Sequence, residues 1–102
     1  MAQQTFGSII KTVAATGTPE ALGTSATRAH SFTFLGLKAA RTDNGGRVWV
    51  SPNSGNDTAA VPLDPGDDIT FAADVSDDYF TADQFYIDVE NAGDGVVVLY
   101  DK

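Results

Sequence analysis

Side chains that could carry out catalysis are scarce in this chain. His30 is its single histidine, and cysteine does not occur. Acyl transfer needs a nucleophile, a base and an orienting group, and no serine of the sequence lies in a Gly-x-Ser-x-Gly turn. A lone histidine near the start of a strand is commonly a structural or surface residue. The sequence therefore predicts a protein that is not an enzyme and that needs no cofactor.

Several aspartates lie close together in the segment Asp64-Pro-Gly-Asp67-Asp68. Calcium takes six to eight oxygen ligands, so Asp64, Asp67 and Asp68 could supply part of a site. Their spacing differs from that of the Asp-x-Asp-x-Asp-Gly loop with its distal glutamate, and aspartates at turns commonly accept hydrogen bonds from nearby backbone amides. We therefore expect no metal, with a calcium site at these three residues as the alternative.

Length and composition indicate the number of domains and the source of the stability of the fold. The chain has 102 residues, which is enough for one domain over residues 1–102. A chain of this size buries roughly 60–70% of its unfolded surface. Because 42% of the residues are apolar and none is cysteine, stability has to come from packing and from the pairing of strands.

Apolar and polar residues alternate through the second half of the chain, with turn residues between the runs. Alternation at period two buries one face of a strand, and Gly, Pro, Asn and Asp supply the backbone angles that reverse the chain. The predicted inward-facing residues are Ile69, Phe71, Ala73 and Val75, then Phe85, Ile87 and Val89, then Val96, Val98 and Tyr100. The pattern predicts an all-β fold, a single small antiparallel β-sandwich.

The first half begins with a predicted strand over residues 6–13. Residues 16–27 show no period, so we expect a surface loop with at most one helical turn at Pro19-Glu-Ala-Leu22. Leu22 is expected to anchor this loop in the core.

A second strand includes Phe32 and Phe34, and its apolar face changes by one residue beside Gly36. Such a change predicts a β-bulge or a strand that passes between two packing environments. Residues 43–46, Asp-Asn-Gly-Gly, are typical of a tight hairpin turn, so residues 47–51 are predicted to be the returning strand of that hairpin.

Charge and hydropathy exclude several classes of partner. The longest apolar run, residues 96–100, is far shorter than the ~20 residues that a membrane helix needs, and no signal segment opens the sequence. A net charge of −8 argues against nucleic-acid binding, which depends on clustered Lys and Arg. We expect a soluble protein made in the cytoplasm, with no membrane partner and no nucleic-acid partner.

The charge is unevenly distributed along the chain. Residues 1–50 hold five Lys and Arg against two acids, whereas residues 51–102 hold twelve acids against one Lys. One interpretation is a solvated acidic surface that keeps a small protein soluble. The other is a basic patch that meets an acidic patch on a neighbouring subunit.

Two features leave alternatives open. In residues 96–100 both alternating sets are apolar, so this strand is buried on both sides, either inside the domain or at a subunit contact. Trp49, Tyr79 and Tyr86 could bind glycans if they are exposed. For Trp49 we expect a place in the core.

The order of these features resembles that of small bacteriophage capsid decoration, or cement, proteins and related head accessory proteins. The resemblance covers most of the chain and rests on Gly17-Thr-Pro-Glu-Ala-Leu22, Phe32-Thr-Phe-Leu-Gly-Leu-Lys-Ala39, Thr42-Asp-Asn-Gly-Gly-Arg-Val-Trp-Val50, Pro62-Leu-Asp-Pro-Gly66 with Ile69, Phe85-Tyr-Ile-Asp-Val89 and Gly93-Asp-Gly-Val-Val-Val-Leu-Tyr100. Ser51 stands where such proteins are expected to have glycine, and the loop after it is longer and more polar.

The resemblance implies a jelly-roll-like sandwich that assembles on the outside of a capsid, commonly as trimers at symmetry axes, without catalytic activity. It implies a virion structural protein, made in the host cytoplasm, whose partners are the major capsid protein and copies of itself. Binding to the assembled shell and not to separated subunits would stabilise the particle by mass action. A tail or neck adaptor of the virion and a glycan-binding β-sandwich module are the alternatives.

Two groups of residues are predicted to contact the partner. A short polar terminus that ends in an aromatic residue can add to an exposed strand edge, so residues 1–6 are predicted to form an extended N-terminal arm. Its contact residues are Gln3, Gln4, Thr5 and Phe6. The second group supplies scarce positive charge for an acidic surface and consists of Arg28, Arg41 and Arg47.

Overall fold

The computed structural model describes residues 6–39, 41–52, 60–73 and 78–101. These residues form twelve strands and a short 3-10 helix at Ala82–Gln84. In chain order the strands are β1 (Phe6–Thr12), β2 (Glu20–Ala21), β3 (Arg28–Ala29), β4 (Ser31–Leu35), β5 (Leu37–Ala39), β6 (Thr42–Asp43), β7 (Val48–Ser51), β8 (Val61–Leu63), β9 (Asp68–Ala72), β10 (Phe80–Thr81), β11 (Tyr86–Val89) and β12 (Gly95–Asp101).

Most of the strands belong to two four-stranded sheets. The first sheet has the order β1-β12-β4-β9, and the second has the order β2-β11-β7-β8. Neighbouring strands are antiparallel throughout both sheets. Two short ladders, β3 with β10 and β5 with β6, accompany them. The prediction of an all-β, antiparallel sandwich is therefore confirmed.

The core contains most of the residues that the period-two alternation predicted to face inward. Phe85, Ile87, Val89, Val96 and Val98 are buried, and so are Phe32 and Phe34, which were predicted to share one face. Val48 and Val50 are also buried, although Trp49 between them was the residue expected in the core. Ile69, Phe71 and Tyr100 are partly buried and pack against them. Val75 lies outside the described residues.

Phe85 lies at the centre of an aromatic cluster in this core. Its ring centroid is 5.0–5.8 Å from four others, those of Phe32, Phe34, Phe71 and Phe80. Tilted and edge-to-face ring pairs add about 0.5–1.5 kcal/mol each beyond their buried area. Because Phe32, Phe34 and Phe71 belong to the first sheet and Phe85 adjoins β11 of the second, the cluster joins the two sheets.

The change of face beside Gly36 separates β4 from β5, in agreement with the predicted irregularity. The Gly36 N–H donates to the Asp67 carbonyl at 2.8 Å, and its own carbonyl accepts the Gly66 N–H at 3.1 Å. A Cβ at Gly36 would lie 2.7 Å from the Asp64 carbonyl oxygen. The strand is therefore interrupted where the turn between β8 and β9 docks on it.

The prediction of a hairpin turn at residues 43–46 is wrong. The tight turn occurs earlier, between Ala39 of β5 and Thr42 of β6, and Arg41 within it has a positive φ of 62°. β7 pairs with β11 and β8 in the second sheet and does not return along β4. A two-residue hairpin turn of the Asn-Gly type needs positive φ, and Gly45 and Gly46 are not among the glycines with positive φ. The Asn-Gly pair therefore does not form such a turn here.

Asn44 instead belongs to a hydrogen-bonded cluster, which we call the clasp, formed by Asn44, Gly45, Gly46, Asp94 and Gly95. All of these residues are buried except Gly45, which is exposed. The Asn44 amide donates to the Gly95 carbonyl at 2.7 Å and accepts the Gly95 N–H at 3.0 Å. The Asp94 carboxylate accepts the N–H of Gly45 at 3.1 Å and that of Gly46 at 3.0 Å. The clasp thereby connects the segment before β7 of the second sheet to the start of β12 in the first.

Residues 16–27, where we expected a surface loop with at most one helical turn, contain a short strand and no helix. Glu20–Ala21 form β2, which pairs with Tyr86 and Ile87 of β11. Two paired residues are too few to show a period in the sequence. Leu22 is nevertheless buried, as expected, and its N–H donates to the Phe85 carbonyl at 2.8 Å.

Removing the carboxylate of the clasp should destabilise the fold. Asp94→Ala removes the charged acceptor of both glycine N–H groups and leaves that of Gly46 in a buried place, so we expect the free energy of unfolding to fall by about 2 kcal/mol. Chemical denaturation followed by circular dichroism measures the change. Asp68→Ala, at an exposed position, is the control and should change stability by no more than about 0.5 kcal/mol. Equal effects of the two substitutions would contradict the role of the clasp.

Candidate assembly surface

β1 forms one edge of the first sheet. It pairs with β12 in an unbroken register from Phe6 opposite Asp101 to Thr12 opposite Gly95. No strand in the described part of the chain pairs with its other side. We call this side the open edge.

Backbone hydrogen bonds at the end of β1 show which of its residues face the open edge. Val13 donates its N–H to Asp94 and accepts the Gly93 N–H, each at 2.9 Å, so its backbone groups point toward β12. The N–H of the next residue, Ala14, points the other way and reaches Glu20. Because these directions alternate along a strand, the backbone N–H and C=O of Phe6, Ser8, Ile10 and Thr12 face the open edge.

The side chains of the same alternate residues form the outer face of the sheet. Phe6 is 71% exposed and Ile10 is 57% exposed. Leu99 of β12 is opposite Ser8 and is 44% exposed, so it lies diagonally between them. We call Phe6, Ile10 and Leu99 the apolar patch.

A row of uncharged side chains crosses the first sheet through the middle of the apolar patch. Ser8, Leu99, Thr33 and Thr70 form one row across the four strands of the first sheet. The hydroxyl groups of Thr33 and Thr70 bond to each other at 2.9 Å. The outer face does carry two carboxylates, since Asp101 lies opposite Phe6 and Asp68 lies opposite Leu35. The row through Ser8 and Leu99, at the centre of the apolar patch, carries none.

Edge strands of soluble proteins usually carry a feature that prevents pairing with another chain. In the second sheet, β8 contains Pro62, which has no N–H to donate, and β2 has only two residues. β9, the other edge of the first sheet, begins at Asp68, directly after Asp67. β1 has seven residues and a single charge, Lys11, which is bonded to Glu20. It is therefore the least protected edge that the structure describes.

Lys11 and Glu20 close the side of the sandwich between β1 and β2. The Lys11 ammonium lies 2.9 Å from a Glu20 carboxylate oxygen, and the other oxygen accepts the Ala14 N–H at 3.2 Å. The bond from Lys11 and the bond from Ala14 hold the pKa of the Glu20 carboxyl below its ordinary value of 4.5. The pair also neutralises the charge of β1.

Of the four contact residues predicted for the N-terminal arm, Phe6 is the one that the structure describes. Gln3, Gln4 and Thr5 lie outside the described residues. Phe6, the last of that group, is the most exposed of the large apolar side chains that the structure describes. Of the predicted arm, it is therefore the residue that the structure places on the candidate surface.

The three predicted arginines lie on separate elements. The Arg28 guanidinium lies 4.8 Å from the centre of the Tyr79 ring, a cation–π contact. Arg41 is exposed in the turn between β5 and β6. Arg47 bonds through Nε to Asp64 at 2.9 Å, which raises the pKa of its guanidinium. The structure therefore does not gather them into one basic cluster on the apolar patch.

The three aspartates considered for calcium take part in the turn between β8 and β9. Asp64 accepts the bond from Arg47, and Asp67 accepts the Asp64 N–H at 3.2 Å. Asp68 is exposed at the start of β9. Within the ranges that the structure describes, no three His, Cys, Asp or Glu side chains lie close enough to hold a metal ion.

The expectation that Trp49 lies in the core is wrong. Its neighbours Val48 and Val50 are buried, so Trp49 faces outward from the second sheet, where it is partly buried. Trp49 pairs with Asp88, two residues from Tyr86 on β11. Trp49 and Tyr86 are therefore diagonal neighbours on the outer face of the second sheet.

Sequence reasoning identified only part of the apolar patch. It singled out Phe6 and noted that residues 96–100 are apolar on both sides, with a subunit contact as one explanation. Val97 proves to be buried and Leu99 exposed. Sequence reasoning did not select Ile10. Ile10 lies two residues after Ser8 and four after Phe6 in one strand, and this spacing places all three on the same face.

No protein-family model matches the chain, and neither a curated protein nor a solved structure matches it. Among the described residues, no helix is long and apolar enough to cross a membrane. The surface geometry is therefore the basis for the functional conclusions that follow.

The pair of Lys11 and Glu20 should make stability depend on pH. Because the folded-state pKa of Glu20 is lowered, its stabilising contribution is complete above about pH 4.5, its ordinary value, and is lost as the pH falls through the folded-state pKa. We expect Glu20→Gln to lower the melting temperature at pH 7 and to approach the unmodified protein below pH 4. Differential scanning calorimetry from pH 7 to pH 3 measures this convergence.

Glu90→Gln removes the other glutamate and is the control for the loss of one negative charge. A gap between Glu20→Gln and the unmodified protein that stays constant over the whole pH range would contradict the role of the pair.

Proposed function

We propose that the protein is a virion structural protein that binds the outside of an assembled phage capsid, together with copies of itself, and stabilises the shell. It is made in the host cytoplasm and acts by occupying a place in the particle, without catalysis. The observation that carries the proposal is the apolar patch beside the open edge of β1, on a chain whose net charge is −8.

The order of the strands supports the proposal. The ladders are nested along the chain, since β1 pairs with β12, β2 with β11, β4 with β9 and β7 with β8. A long antiparallel ribbon wound into two sheets produces this nesting, and such jelly rolls occur in viral capsid and lectin domains. We therefore propose a jelly roll as the finer topology.

The apolar patch supplies the contact with the shell. Full burial of one Leu, Ile or Phe side chain contributes about 1.5–3 kcal/mol, and the three residues of the patch are still 44–71% exposed. Each copy therefore contributes a modest binding energy. Many copies on one shell add these energies, and a ligand that binds only the assembled state shifts the equilibrium toward it.

Exposed cations provide a second contact of weaker effect. Arg28 and Arg41 are exposed, and neither takes part in an ion pair with another described residue. Opposite charges at the rim of an interface mainly speed association and select the partner. Arg28 and Arg41 would accordingly orient the protein on an acidic shell surface, whereas Arg47 is already occupied by Asp64.

Particle composition and add-back test the proposal. Quantitative mass spectrometry of purified particles of the encoding phage should find hundreds of copies of the chain, in proportion to the shell protein. Particles stripped of the protein should release DNA at a lower temperature, and adding the protein back should restore the original temperature. Ile10→Asp should fail to restore it, because a charge placed in the apolar patch must lose water on binding.

Thr70→Asp is the matched control, since Thr70 is exposed on the same face at the opposite edge. It should restore particle stability as the unmodified protein does. A handful of copies per particle would replace the proposal with a tail or neck adaptor, and absence from the particles would refute both.

A glycan-binding module is the second candidate, favoured by one observation. Trp49 and Tyr86 are diagonal neighbours on the outer face of the second sheet, where aromatic rings could stack on sugars. Glycan-array binding that is lost in Trp49→Ala and kept in Tyr79→Ala, where an exposed aromatic on another element is removed, would support this candidate. An array without any binding of the unmodified protein would refute it.

A further inference from the structure

We propose that two copies of this chain pair through their β1 strands, antiparallel and about a twofold axis, so that the two first sheets form one continuous eight-stranded sheet. The inference rests on the proposed function, because it identifies a second copy of the chain as a partner of the same surface, the apolar patch and the open edge. It replaces the threefold contact that the resemblance implies with a twofold one.

The backbone of β1 is ready for such pairing. Every second residue of β1 presents its N–H and C=O groups along the open edge, and these residues are Phe6, Ser8, Ile10 and Thr12. Their direction follows from the bonds of Val13 and Ala14. An antiparallel partner strand forms hydrogen bonds at every second residue, and it requires the same alternation that β1 provides. A second copy of β1 meets this requirement without rearrangement.

A twofold axis at Ser8 gives the best match of side chains. It places Ser8 opposite Ser8 of the other copy, Phe6 opposite Ile10, and Ile10 opposite Phe6. Aromatic and β-branched side chains directly opposite each other are favourable cross-strand pairs. The two Leu99 side chains, which are opposite Ser8 within each copy, flank these pairs. The axis therefore joins both apolar patches into one.

An axis at Ile9 would pair all four edge-facing residues of β1, one more than an axis at Ser8, but would match the side chains less well. It would place Phe6 opposite Thr12 and Ile10 opposite Ser8. Both large apolar side chains would then face hydroxyl-bearing residues. The register at Ser8 is accordingly the one proposed.

Charge selects this edge over the others for contact between identical chains. Two copies with a net charge of −8 each repel one another at long range. β1 itself brings no uncompensated charge to the contact, because its Lys11 is bonded to Glu20 of the same chain. The nearest carboxylate on the outer face, Asp101, lies one strand away from the contact, opposite Phe6, and accepts the Ser31 N–H. By contrast, pairing through β9 would bring together two copies of Asp68, and pairing through β8 would meet Pro62.

Single cysteines test the register directly, because the natural chain has none. Ser8→Cys places two sulfur atoms across the axis, where the Cα atoms of a hydrogen-bonded antiparallel pair are about 5.5 Å apart, within the range that a disulfide bridges. Under mild oxidation at micromolar concentration we expect Ser8→Cys to form a covalent dimer rapidly. Thr70→Cys, exposed on the same face at the opposite edge, is the control for random collision and should form no covalent dimer under the same conditions.

Analytical ultracentrifugation of the isolated protein tests the pairing itself. We expect the mass of the unmodified chain to rise with concentration from that of the monomer, 10.7 kDa, toward twice that value. Ile10→Lys should raise the dissociation constant at least about tenfold, because the axis makes the substitution act twice. Thr70→Lys should leave it unchanged, and circular dichroism should show both variants folded.

Several results would overturn the inference. These are a mass that stays at the monomer value at the highest concentration, a threefold mass that Ile10→Lys leaves unchanged, or cross-linking of Ser8→Cys no faster than that of Thr70→Cys. None of these measurements involves particles. A monomeric protein that still binds and stabilises shells would therefore refute the pairing alone and leave the proposed function standing.

Discussion

The arrangement of the two sheets depends on the clasp, in which Asn44 bonds Gly95 and Asp94 bonds Gly45 and Gly46. At Gly95, β4 has already ended, and the Asn44 amide takes the place of a neighbouring strand by bonding both the N–H and the C=O of that residue. Asp94 then fixes the glycines that lead into β7. One buried polar cluster thereby sets the start of β12 and the entry to the second sheet, and satisfied clusters of this kind favour a single arrangement.

The fixed start of β12 also determines the candidate surface. β12 lies between β1 and β4, so its position sets the register of β1 and brings Leu99 between Phe6 and Ile10. Below this sheet, the aromatic cluster around Phe85 occupies the interior. The aromatic side chains of the inner faces already fill the space between the two sheets. Phe6, Ile10 and Leu99 are therefore not needed in the core and lie on the outer face. An apolar outer face and an unprotected edge meet on the same strand.

Sequence reasoning gave the fold class and most of the core because these follow from local alternation. Phe32, Phe34, Phe85, Ile87 and Val98 were placed correctly by period two alone. It failed where a residue's role depends on distant partners. Asn44 was read as a hairpin turn, since its bonds to Gly95 join residues 51 positions apart. The edge position of β1 likewise depends on the order of strands, so only Phe6 of the apolar patch was chosen in advance.

The clasp has a chemical consequence for the lifetime of the protein. In an asparagine followed by glycine, the glycine nitrogen can attack the side-chain amide carbon, close a succinimide ring and expel ammonia. Water then opens the ring at either carbonyl and gives aspartate or isoaspartate. In the folded chain the Gly45 nitrogen is engaged by Asp94 and the Asn44 amide by Gly95. Deamidation at this site is therefore confined to molecules whose clasp has opened, and isoaspartate at position 44 becomes a cumulative record of how often the sandwich opens.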